Sequence, residues 1–271
     1  MVKRVERVPA TRLGIRRGRR LLDHGTRKTH MAVRDPRSPP GLWWITRYNL
    51  AMSTSIDALM ERASQRLTDM DYLASEALCL DALAMAKEAG DWTAYARVVL
   101  PLQECRRQRR MIAAEAGVQL GTNACGNDPR NGGVAATRPM DRDAAQQLHD
   151  QATDQQRYVE VLWCDHEPEA PRWTVSTFGQ VQVSCDVPAP DAAWLNQRLS
   201  PGDDGFAEAG HWFIAASEAL GDSALQQVAA PLGSLERVNQ LEQMVTAVGD
   251  HEILHQRLAD AARAMPVEQA T

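Results

Sequence analysis

No Cys-x-x-Cys pair occurs in the 271 residues, and the five cysteines, Cys79, Cys105, Cys125, Cys164 and Cys185, are odd in number and widely spaced. That excludes the usual zinc staple and thioredoxin-type redox motif, and it makes a reducing cytoplasm the expected compartment. No run approaches the roughly 18 uninterrupted apolar residues of a membrane-spanning helix, so no span is expected. The phosphate-cradling strings Gly-x-x-x-x-Gly-Lys-Ser/Thr and Gly-x-Gly-x-x-Gly are missing, as is the Gly-x-Ser-x-Gly of serine hydrolases. Lysine is scarce, standing only at Lys3, Lys28 and Lys87. Arginine carries almost all the positive charge beside abundant alanine, a composition expected of a GC-rich bacterial genome.

What is present is unevenly charged. Residues 1–51 hold 13 Lys/Arg against 3 Asp/Glu, whereas the whole chain has a net charge of -5. A basic segment therefore precedes a strongly acidic body. The first segment has prolines, glycines and arginines but no sustained period, so residues 1–52 are expected to form a disordered or non-native extension. An arginine-rich arm of this kind is also a candidate nucleic-acid contact through phosphate charge, or a transit peptide. The text changes at Met52, and Thr54 with Asp57 three residues on has the spacing of a capping box, so the working protein is expected to begin near there.

Residues 53–118 read as helical. Ile56, Leu59, Met60, Ala63, Leu67 and Met70 recur at helical spacing. Leu73, Ala77, Leu80 and Ala84 form a second stripe after Asp71, and Trp92, Tyr95, Val99 and Leu102 a third after Gly90-Asp91. Pro101 is expected to kink or break the third helix. The following Arg106, Arg107, Arg109 and Arg110 read as a solvated face near a helix end, open to an acidic partner or phosphate. Leu59, Ala63, Tyr72, Ser75, Cys79 and Ala82 stand at spacings that resemble the large and small packing positions of one tetratricopeptide (TPR) unit. The resemblance covers about a quarter of the chain and implies antiparallel helical hairpins with a concave protein-binding surface.

Residues 119–140, rich in Gly, Asn and Pro, read as a flexible linker. A small α+β segment, 141–200, follows. "YVEVLWC" reads as a strand, and the alternating sets Trp173, Val175, Thr177 and Val181, Val183, Cys185, Val187 read as a hairpin. For both apolar sets to share a face, the hairpin needs a three-residue loop or a bulge near Gly179. Cys164, His166 and Cys185 are a weak candidate metal cluster there.

Residues 201–271 read as a C-terminal helical bundle with stripes Leu235, Val238, Leu241, Val245, Val248 and Leu254, Leu258, Ala261, Met265. The Gly-Asp steps at Gly90, Gly221 and Gly249 read as helix joints. His251-Glu252-Ile253-Leu254-His255 resembles the zinc-peptidase string, which implies His251 and His255 as ligands and Glu252 as general base. Leu258 stands where the extended pattern has glycine, and Asp250 is the expected N-cap.

The expectation is thus a mainly α (α+β) protein with TPR-like hairpins, a small central β-hairpin or sheet and a C-terminal helical bundle. Its expected work is non-catalytic protein–protein contact through Tyr72, Trp92, Tyr95, Arg106, Arg107, Arg109 and Arg110, with a basic patch on the partner for the acidic body. No cofactor is expected. The competing readings are a zinc hydrolase using the 251–255 string and nucleic-acid binding through residues 1–51.

Overall fold

The computed structural model describes residues 55–121, 131–166, 169–178 and 181–266. The arginine-rich segment, Thr54, Cys125 and Gly179 lie outside them. Short polar residues set the helix starts. Ser55, rather than Thr54, caps α1 (Ile56–Thr68) by accepting a 3.1 Å hydrogen bond from Ala58 N. Asp71 caps α2 (Tyr72–Glu88), and Asp91 caps α3 (Trp92–Ala116) through Ala94 N at 2.8 Å. Gly90, at φ +67°, supplies the left-handed turn between them.

Pro101 does not end α3, which runs 25 residues as one helix. The proline removes one N–H, but Val98, Val99 and Leu102 beside it are buried, and α3 packs along α2 on one side and α7 on the other. The arginine run is consequently in the second half of a buried helix, not in a frayed end.

The larger correction lies at 119–140. This stretch contains most of β1 (Val118–Leu120) and all of β2 (Gly132–Ala136), and β2 is buried along its whole length. With β3 (Val159–Asp165), β4 (Arg172–Ser176), β5 (Ser184–Pro188) and β6 (Arg198–Leu199) they form one mixed sheet ordered β5-β4-β3-β2-β1-β6, parallel across β1, β2 and β3 and antiparallel at both margins. A parallel strand covered on both faces shows no alternation. Its glycines serve packing: a Cβ on Gly133 would meet the Phe213 ring at 3.1 Å.

Trp173 pairs with Val187 and Val175 with Cys185, so the two apolar sets do share the core face. Pairing continues past the strands, Thr177 N donating to Val183 O at 3.0 Å, and the expected loop or bulge at Gly179 lies outside the described residues.

α4 (Arg142–Asp154) covers one face of the sheet over Val134, Ala136 and Trp163. On the other, α5 (Phe206–Gln226), α6 (Leu235–Ala247) and α7 (Glu252–Arg263) share a single core with α1–α3. The C-terminal residues are therefore not a bundle of their own, and Gly221-Asp222 lies inside α5 rather than at a joint. Among the described residues no helix is long and apolar enough to cross a membrane.

Candidate functional site

Arg106, Arg109 and Arg110 of α3 face inward. Arg106, on the turn that meets α2, donates from Nε to Glu76 Oε1 at 2.7 Å and from Nη1 to Val245 O at 3.0 Å. Arg109, one turn on, donates through Nη1 to the other oxygen of the same carboxylate, and its Nη2 stands 3.9 Å from Glu160. Arg110 reaches Glu218 Oε1 at 2.5 Å, Asp250 Oδ2 at 2.7 Å and Ile214 O at 3.0 Å. Arg106 and Arg109 are buried, against the expected solvated face, and Arg107 alone of the four is exposed, paired to Glu104. The remaining residues of the expected concave surface are also not free. Tyr72 and Tyr95 are buried, Tyr95 donates to Glu242, and Trp92 packs on Tyr95 at 5.8 Å. A helix can turn three arginines in five positions inward only where carboxylates wait for them.

Glu76, Glu160, Glu242 and Asp250 edge a cavity of 660 Å³. Glu76, Arg106 and Arg109 form one wall, with Glu160 and Leu162 of β3, His149 of α4, Ser176 and Phe178 at the hairpin, Leu220 of α5 and Asp250 around it. Gln243 and Thr246 on α6 also line it and are exposed, which places the solvent side there. Burial pushes the Glu76 carboxyl up, but Arg106 and Arg109 outweigh it and hold the group below 4.5. Burial pushes Glu160 up to about 7, Arg109 offsetting only part and Asp250 and Glu76 adding to the rise. Glu160 accepts no hydrogen bond from any described side chain within the cluster that pairs Glu76. Burial, with Arg109 nearby, holds His149 below 6.5, while Asp250 is raised by burial despite Arg110.

Neither Glu76 nor Glu160 is singled out by a sequence motif, yet each carries a signal. Glu76 is in helical phase with buried Tyr72 and Cys79, and Glu160 alternates with buried Leu162 and Cys164. A charge in step with a core stripe marks a buried ion.

His251 and His255 are buried, 2% and 0% exposed. His251, not Asp250, caps α7, its Nδ1 accepting from Leu254 N at 3.3 Å while Nε2 faces Glu218 at 3.5 Å and Asp222 at 3.4 Å. His255 meets His251 O through Nδ1 at 2.9 Å and receives Arg106 Nη1 at Nε2, 3.3 Å away. Each ring's lone pair thus already accepts a hydrogen bond from the protein, and a guanidinium stands where one zinc bond would form. The pair does not fit a zinc ion, and Glu252 is exposed and bonded to Gln256 rather than aimed at the rings. Among the described residues no group of three or more His, Cys, Asp or Glu is placed to hold a metal. His166 stacks on Trp173 at 4.2 Å, and Cys164 is buried opposite Val175.

His255 gives a pH prediction. Burial and Arg106 push it down to about 4 from 6.5, so the folded state refuses a proton that the unfolded chain accepts. Its contribution is complete above 6.5 and is lost as pH falls toward 4. Glu160 acts in the opposite sense, its raised value costing stability as pH rises from 4.5 to 7. Urea unfolding across this window is expected to fall more steeply with acid in wild type than in His255→Gln; parallel curves contradict the assignment.

No protein-family model matches the chain, and it has no match among curated proteins or solved structures.

Proposed function

We propose that this protein is a non-catalytic binding module whose ligand is a small organic molecule held in the 660 Å³ cavity. The observation that carries the proposal is the set of ionisable groups built into the cavity wall, Glu76, Arg106, Arg109 and Glu160, inside a volume of the size that small-molecule sites use, about 300–1,000 Å³. Apolar walls at Leu162, Phe178 and Leu220 supply burial, and the charged groups supply orientation. Interior charge of this kind is costly to build for stability alone, because apolar residues of similar volume pack as well or better.

The α1–α2 hairpin is read as TPR-like, supported by the close crossing at which Ser75 Oγ donates to Ala63 O at 2.8 Å. A protein partner remains the second reading, favoured by the apolar Leu100 and Met111 that α3 leaves exposed on either side of Arg107. Free Cys79, Cys105, Cys164 and Cys185 agree with a cytoplasmic location. The basic segment 1–51 lies outside the described residues, so nucleic-acid contact there has no structural support.

Native mass spectrometry of the full chain, isolated from the cells that make it, tests the cavity proposal. A small molecule is expected on wild type and not on Thr246→Trp, which fills the open side of the cavity while the circular dichroism stays helical. Wild type that carries no small molecule, and whose melting point no metabolite extract shifts, contradicts it.

A further inference from the structure

We propose that the cavity selects an organic cation, a primary amine whose ammonium group pairs with the Glu160 carboxylate while its apolar body lies along Phe178, Val181 and Leu220. This rests on the cavity being a ligand site. Charge accounting points to it. Arg106 and Arg109 share Glu76, Arg110 takes Asp250 and Glu218, and Lys87 takes Glu242. Four cations meet four carboxylates, and Glu160 is the fifth, with no cation of its own closer than Arg109 at 3.9 Å. That distance is too long for a hydrogen bond. The Glu160 side chain is also the more accessible one, 24% exposed where Glu76, Arg106 and Arg109 keep 10–11%. A carboxylate three-quarters buried and without a hydrogen-bond donor either binds a proton or binds a cation, and a cavity in front of it leaves room for the second.

The groups facing Glu160 hold their charge differently. Arg106, Arg109 and Arg110 from α3 stay cationic, and Glu76 from α2 is held ionised by its arginines. His149 from α4 is kept neutral by burial. Asp250, before α7, is raised but has Arg110 at 2.7 Å, and Glu242 from α6 is paired to Lys87 and the Tyr95 hydroxyl. Glu160, pushed up to about 7 by burial, changes charge near neutral pH. An ammonium ligand must displace its proton, so affinity falls by about tenfold from pH 8 to pH 6.

The experiment is calorimetric titration of the full chain with hexylamine, hexanol and hexanoate, which share a body and differ in head charge. Hexylamine is expected to bind best, at least tenfold tighter than hexanoate, and tenfold tighter at pH 8 than at pH 6. Glu160→Gln, close in shape and checked for folding by circular dichroism, is expected to abolish both the amine preference and the pH dependence. Hexanol or hexanoate binding as tightly as the amine, or amine binding unchanged in Glu160→Gln, overturns the cation assignment and leaves the cavity proposal standing. No binding by any of the three, or binding undiminished in Thr246→Trp, overturns both.

Discussion

Glu76→Ala is expected to destabilise the protein by about 3–5 kcal/mol, the range for removing one member of a buried ion pair. Glu76 spends both carboxylate oxygens on Arg106 and Arg109, each within a side chain only about a tenth exposed. Without it, two guanidinium groups are left in the wall with Glu160 the nearest remaining acid of Arg109. The contrast is Glu104→Ala, which breaks the surface pair with Arg107 and is expected to cost less than about 1 kcal/mol. Urea midpoints at unchanged slope read both. If the two variants lose stability equally, the arginine run is on the surface after all. Replacing Glu76, Arg106 and Arg109 together by Leu, Met and Met is expected to recover most of the loss while emptying the cavity wall of charge.

The second large effect is at Gly221. A Cβ there would lie 2.2 Å from the ring of His251, far inside contact distance. The ring cannot swing aside cheaply, since Leu254 N, Glu218 and Asp222 hold its two nitrogens. Gly221→Ala is expected to cost about 3 kcal/mol, at the upper end for overpacking, and to loosen the start of α7. Gly249→Ala, whose Cβ would have nothing nearer than Arg106 Nε at 4.0 Å, is expected to be near neutral. His251→Ala frees the space, so Gly221→Ala on that background should cost far less than on wild type. Additive losses would show that the two residues do not touch.

These sites also show what the sequence discloses. The caps at Asp71 and Asp91 and the stripes of α1, α6 and α7 are legible because each depends on residues within one turn of the chain. The centre of the sheet is not, because Gly132–Ala136 is buried on both faces and its glycines answer to Phe213 and Gly117, neighbours only in space. The arginine run misleads for the same reason. Its acceptors, Glu76, Val245, Glu218 and Asp250, come from four other places along the chain. The 251–255 string has the spacing of a ligand pair, but spacing does not reveal that Arg106 and Glu218 already occupy the rings. The phase of Glu76 with Tyr72 and of Glu160 with Leu162 does reveal burial, and a search for charges in step with apolar stripes would have found the cavity wall.

Glu160 is the carboxylate of the cavity wall that no cation approaches to hydrogen-bond distance. A ¹³C NMR titration of the glutamate side-chain carboxyls in the full chain, with the resonance assigned through Glu160→Gln, tests it most directly. Glu160 is expected to titrate near pH 7, with Glu76 ionising below the ordinary 4.5. A Glu160 midpoint at the ordinary 4.5 would mean a well-hydrated or already paired carboxylate, and would contradict a place for a cation in front of it.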